Sequence, residues 1–173
     1  MTAPIKLAHV VFRTGQLAAM REWYCTVLEA HVVYENDHLA FATYDDEHHR
    51  LAFIDTQASE RPGPQASGVD HVAFTYESMG DLLDTFERLK GIDISPYRTI
   101  NHGPTTSMYF RDPDGNQVEL QIDNFDTVEQ TDAFIRSEVF AKNPIGVEFD
   151  PDVLVERFRR GDPHHELIEQ GSA

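Results

Sequence analysis

A short internal repeat constrains this chain more than any other feature. "LAHVVF" at residues 7–12 and "VDHVAF" at residues 69–74 share a His-Val-x-Phe core. Each is followed by a stretch with apolar residues at helical spacing: Leu17, Met20, Tyr24, Val27 and Leu28 in the first, and Met79, Leu82, Leu83, Phe86 and Leu89 in the second. After each helix come three short strand-like runs. "AHVVYE", "HLAFATY" and "HRLAFID" form the first set, and "SPYRTI", "TSMYFR" and "NQVELQI" the second. The order βαβββ therefore occurs twice, and a sheet of one such module leaves a face that needs a cover. The expected fold is α+β, with two tandem βαβββ modules, residues 1–55 and 69–123, curling into one cup-shaped mixed sheet over residues 1–123. The Pro-, Gly- and Ser-rich run "TQASERPGPQASG", residues 56–68, is the linker.

The pattern changes after residue 123. "FDTVEQTDAFIRSEVF" opens on an Asp or Thr cap and reads as one helix. "FDPDVLVERFRRG" places Asp150 as N-cap, Pro151 in the first turn and Gly161 after the end. Residues 124–173 are expected to be a helical extension and not an independent domain, with a frayed end after Gly161.

Composition removes several classes of function. Thirty acidic residues against 14 basic ones give a formal charge of −16, with no basic patch for nucleic acid or an anionic membrane. No apolar run approaches the roughly 20 residues that span a bilayer. "MTAPIKLAHVVF" lacks the basic and apolar segments of a leader, so a cytoplasmic location is expected. One cysteine, Cys25, excludes an internal disulfide framework and reads as a buried thiol in an apolar helix.

Strand alternation then sorts the polar side chains. In "QVELQI", Val118, Leu120 and Ile122 form an apolar face, which leaves Glu119 on the other, concave side. By the same rule Met108 and Phe110 join the apolar set and Tyr109 the concave one. His9 and His71 occupy matching positions in the repeat. Taken singly, a strand histidine reads as a hydrogen-bonded core residue. Two at equivalent positions, with an inward carboxylate that would be costly to bury unpaired, point instead to a 2-His-1-carboxylate metal site of His9, His71 and Glu119, which suits Fe(II) and is compatible with Mn(II). Aligning "AFID" with "LQID" sets Leu51 opposite Glu119, where leucine cannot ligate, so open coordination positions are expected.

The stretch "INHGPTTSMYFRDPDGNQVEL" is similar to the signature of type I extradiol ring-cleavage dioxygenases of the vicinal oxygen chelate superfamily. It holds His102, five residues, Met108-Tyr109, the turn Asp112-Pro113-Asp114-Gly115, and Glu119. "EHHRLAF" resembles the family's His-x-x-Ala-Phe strand, with His49 as its histidine. The resemblance implies the glyoxalase/bleomycin-resistance/dioxygenase fold and a small single-domain enzyme. It implies Fe(II) held by His9, His71 and Glu119, with His49, His102 and Tyr109 as acid, base and hydrogen-bonding groups, the last two also binding substrate. It further implies proximal cleavage by O₂ of an aromatic diol of the 2,3-dihydroxybiphenyl type, by an expected homo-oligomer. One departure stands at Thr105, where larger relatives often carry aspartate.

Other members of the superfamily fit less well. Glyoxalases and epimerases want a fourth protein ligand. A fosfomycin-type transferase needs a basic pocket for its phosphonate, and a bleomycin-type binding protein has no use for the inward His49, His102 and Tyr109. His31, His38, His164 and His165 read as exposed, and His48 as pointing away from the side His49 faces.

Overall fold

Two consecutive βαβββ modules organise the chain, as the repeat predicts. The computed structural model describes residues 2–58, 60–63 and 65–173, so Ser59 and Pro64 of the expected linker lie outside the described residues. Contacts divide the chain into two units, one running up to Val69 and including Asp112–Asn116, the other made of Asp70–Arg111 and Gln117–Ala173.

The first unit holds β1 (Val10–Thr14), α1 (Leu17–Val27), β2 (His31–Glu35), β3 (Leu39–Thr43) and β4 (Leu51–Asp55). Its sheet order is β1-β4-β3-β2, with β1 parallel to β4 and the other pairs antiparallel. Met20, Tyr24 and Val27 are fully buried on one stripe of α1, because positions four and then three apart share a helix face. The Tyr24 ring meets Phe12 at 5.0 Å and Phe53 at 5.3 Å between centroids, which shows that the Phe12 and Phe53 side of the sheet is the one α1 covers. The Tyr24 hydroxyl donates to Asp112 at 3.1 Å inside this core, and Asp112 also accepts from the backbone and side chain of Asn116 at 2.7 and 2.8 Å. Cys25 is half-buried, not enclosed as expected, because it lies beside the buried stripe and not on it.

Register corrects one expectation. Val10 pairs with Leu51, and Val72 pairs with Val118. His9 and His71 immediately precede those two valines, so Leu51 corresponds to Val118 and faces the helix, where it is fully buried. The residue that occupies the position of Glu119 in the first module is Ala52, not Leu51. A methyl group, like the leucine side chain, offers no ligand atom.

The second unit holds β5 (His71–Thr75), α2 (Met79–Lys90), β6 (Arg98–Asn101), β7 (Thr105–Arg111) and β8 (Gln117–Asp123). It continues with α3 (Val128–Ile135), α4 (Glu138–Lys142), β9 (Val147–Glu148), α5 (Pro151–Arg160) and α6 (His164–Leu167). The sheet order β5-β8-β7-β6-β9 repeats the first module and adds a fifth strand from the C-terminal extension. Ser78 caps α2, and Leu82, Leu83, Phe86 and Leu89 bury the stripe the sequence predicts.

The expected single helix after Asn124 is two. Thr127 and Gln130 form a capping box for α3, which ends at Arg136; the Ser137 hydroxyl then accepts from Phe140 N at 3.2 Å and starts α4. The chain beyond Gly161 is not frayed. Leu167 is 3 % exposed, and Arg157 donates to Asp162 at 2.8 Å and to the Ser172 carbonyl at 2.7 Å.

Arg160 and Arg157 together hold the Asp162 carboxyl far below its ordinary value of 3.8, chiefly through their hydrogen bonds to it. A depressed carboxylate stabilises the fold above its unfolded pKa, and that contribution is lost as pH falls through the folded value. The wild type should therefore melt higher than Asp162→Asn at neutral pH, with the difference narrowing below pH 3.8. Thermal unfolding of both proteins across that range checks this; a gap that does not change with pH contradicts it.

Candidate functional site

In the second unit the strand register places a set of polar side chains on the sheet face that α2 does not cover. Ala73 pairs with Glu119, Glu119 with Tyr109, and Tyr109 with Arg98, while His71 lies two residues before Ala73 on the same face. Val118, Leu120 and Ile122 take the opposite face because each strand alternates without a bulge.

Glu119 is 5 % exposed, and its Oε2 stands 2.9 Å from His71 Nε2. On its other side, His71 Nδ1 donates to Asp70 Oδ2 at 2.8 Å. That hydrogen bond turns Nε2 toward Glu119. Two such atoms at 2.9 Å need a cation between or beside them, either a proton on Nε2 or a metal ion. Donors on adjacent corners of an octahedral metal with bonds of about 2.1 Å stand about 3 Å apart, so this pair has the spacing and chemistry that two metal ligands need.

Tyr109 completes the group. Its hydroxyl lies 2.9 Å from His102 Nε2, and its ring meets that of His71 edge-on at 5.6 Å. Burial, followed by the negative charge of Glu119 and a hydrogen bond to it, pushes the Tyr109 phenol well above its usual range. A phenol has one proton to give. With that proton directed at Glu119, Nε2 of His102 carries the hydrogen and donates to the phenol oxygen.

In the first unit His9 lies beside His49, with ring centroids 4.4 Å apart. His49 stacks on Phe41 at 4.6 Å, and Phe41 pairs with Ala52, so both imidazoles lie on the sheet face away from α1. Burial, then the positive charges of His9 and His48, lower the His49 pKa and favour its neutral form. His48 does not point away from His49. The two Nδ1 atoms are 2.6 Å apart, because residues 47–50 precede β4 and strand alternation does not extend to them.

The six singled-out residues thus fall into two sets: His71, Glu119, Tyr109 and His102 in one unit, His9 and His49 in the other. Among the described residues, no three His, Cys, Asp or Glu side chains are grouped as a metal site. Sequence reasoning missed Asp70, which orients His71. Its signal was the Asp in "VDHVAF", absent from "LAHVVF", where Ala8 stands.

Comparison with known proteins adds three findings. The model of the Glyoxalase/Bleomycin resistance protein/Dioxygenase superfamily matches residues 6–120. The chain is 49 % identical to biphenyl-2,3-diol 1,2-dioxygenase 2 of Rhodococcus globerulus over 94 % of its own length and 86 % of the relative's, and 46 % identical to biphenyl-2,3-diol 1,2-dioxygenase 3 of the same organism over 96 % and 89 %. Among solved structures, lactoylglutathione lyase from Agrobacterium tumefaciens matches with a TM-score of 0.57 and 20 % identity, covering 70 % of this chain and 96 % of that one. A fosfomycin resistance protein from Listeria monocytogenes matches with a TM-score of 0.56 and 18 % identity, covering 75 % and 99 %. At such identities these structures show a shared fold and nothing about activity.

Proposed function

Because the chain belongs to the Glyoxalase/Bleomycin resistance protein/Dioxygenase superfamily, we propose that it is an extradiol ring-cleavage dioxygenase acting on a 2,3-dihydroxybiphenyl-type diol with O₂. The observation that carries this reading is the group His71, Glu119, Tyr109 and His102 on one sheet face of a chain nearly half identical to two biphenyl-2,3-diol dioxygenases. In this reading His9, His71 and Glu119 hold Fe(II), or Mn(II) in its place. The paired modules over residues 1–123 carry the chemistry, and residues 124–173 support them. No described helix is long and apolar enough to cross a membrane, and the proposal places the enzyme in the cytoplasm as a homo-oligomer.

When bound, the metal supplies the electronic coupling between diol and O₂ that a closed-shell phenol and triplet oxygen lack. The protein's part is orientation and proton handling. Tyr109 stays protonated at neutral pH, since its pKa is raised, and its one hydrogen can turn from Glu119 to a substrate oxygen. His102 Nε2, in contact with the Tyr109 hydroxyl, orients that donor and offers a second group to the same oxygen. His49 is neutral at neutral pH, so its imidazole can take a proton from the diol and later return it to the leaving oxygen as a general acid. Both oxygen atoms enter the product, a ring-opened acid with a conjugated ketone, and cleavage falls beside the two hydroxyls and not between them.

The test uses protein loaded with Fe(II) under argon and mixed with 2,3-dihydroxybiphenyl. Admission of air should give a yellow product with one O₂ consumed per diol and both atoms of ¹⁸O₂ retained. Absence of oxygen uptake with that diol and with a panel of other catechols overturns the proposal. The fosfomycin-type and drug-binding readings gain no support, since the matching structures share only the fold.

A further inference from the structure

The loop that carries His102 is pinned from both sides by residues far along the chain. Asn101, immediately before it, is 4 % exposed. Its side-chain amide donates to the Ile168 carbonyl at 2.8 Å, and its side-chain oxygen accepts from Gly103 N at 2.9 Å. Its backbone carbonyl accepts from Gln170 Nε2 at 2.9 Å. Gly103, immediately after, has its carbonyl bound at 2.8 Å by Asn124, a residue 2 % exposed that also accepts from the Thr106 hydroxyl at 2.8 Å.

Two glycines let the extension approach this closely. Gly103 has φ of 95°, and a Cβ there would overlap the Phe134 ring of α3. Gly146, with φ of 98°, precedes β9; a Cβ on it would overlap the Asn101 carbonyl and lie 2.7 Å from His102 Cα. Residues from α3, β9 and the C-terminal end therefore close on the three-residue segment Asn101–His102–Gly103.

We propose that the C-terminal extension is a positioning element for catalysis, in which Gln170, Ile168 and Gly146 fix Asn101 so that His102 Nε2 is held against the Tyr109 hydroxyl. The inference rests on the role assigned to His102 above. A buried asparagine whose donor and acceptor are both used leaves its peptide little freedom, and an imidazole one residue away inherits that rigidity. Gln170 and Asn101 act through His102 and are not catalytic themselves.

The test pairs Gln170→Ala, which removes one clamp without touching the core, with Gly146→Ala, which forces the extension away from the Asn101 carbonyl. Each should lower kcat by about tenfold to a hundredfold, the range that follows from a misplacement of about 1 Å, with iron content unchanged. In a His102→Ala background neither should lower kcat further. In metal-free protein, both should shift the His102 ring nitrogen signals in a long-range ¹H–¹⁵N correlation spectrum. Equal losses in both backgrounds, or unmoved His102 signals, overturn the proposal. If the unaltered protein cleaves no diol, the functional reading fails, and the spectra still decide whether the extension positions His102.

Discussion

Glu119→Ala is expected to yield a folded protein that retains no metal. The carboxylate is 5 % exposed and its Oε2 lies 2.9 Å from His71 Nε2, so its removal leaves one imidazole facing a small cavity in place of a pair of donors. The loss should not extend to the fold. The core on the other face of β8, built from Val118, Leu120 and Ile122, is untouched by the change, and removing a buried charge also removes its desolvation penalty. Iron measured after reconstitution and desalting should fall from near one per chain to background, and ring cleavage with it. Iron retained at the unaltered level by Glu119→Ala would remove Glu119 from the ligand set. Glu119→Gln sharpens the result: a neutral amide keeps the shape and loses the charge, and should also fail to hold Fe(II), because carboxylate basicity and not bulk makes the site.

His49→Phe is expected to keep the metal and the diol yet lower kcat by about a hundredfold, the usual scale for one acid–base group. A phenyl ring can keep the stacking that His49 makes on Phe41 at 4.6 Å, so the substitution deletes the ring nitrogens with little change in packing. Anaerobic binding of the diol, followed spectroscopically, should match the unaltered protein, while turnover in air falls. Full turnover in this variant would show that the proton is handled elsewhere; His48, whose Nδ1 is 2.6 Å from that of His49, would be the next group to replace.

Much of the fold was legible because it depends on neighbours in the chain. The stripe Leu82, Leu83, Phe86 and Leu89 and the position of Glu119 opposite Val118 and Leu120 follow from helical and strand periods that hold for a few residues at a time. The same rule failed where the period was absent. His48 was placed wrongly because residues 47–50 are not strand, and alternation cannot be carried back across them from Leu51. Leu51 was paired with Glu119 by similarity of letters. Backbone hydrogen bonds to β1 and β5 set the register one residue away from that alignment and put Ala52 there instead. The break at Ser137 was hidden because a serine that caps a new helix and a serine tolerated inside one read alike.

By itself the sequence determined the twofold βαβββ order, the apolar faces of α1 and α2, and the placing of Glu119 and Tyr109 on the sheet face opposite Val118 and Leu120, since each is a local consequence of side-chain spacing. Tertiary structure decided that Asp70 orients His71, that Ala52 and not Leu51 stands at the position of Glu119 in the first module, and that Gln170 reaches back 69 residues to Asn101 beside His102. Such pairings join segments whose separation along the chain carries no periodic signal, and only packing and backbone hydrogen bonding in three dimensions select them.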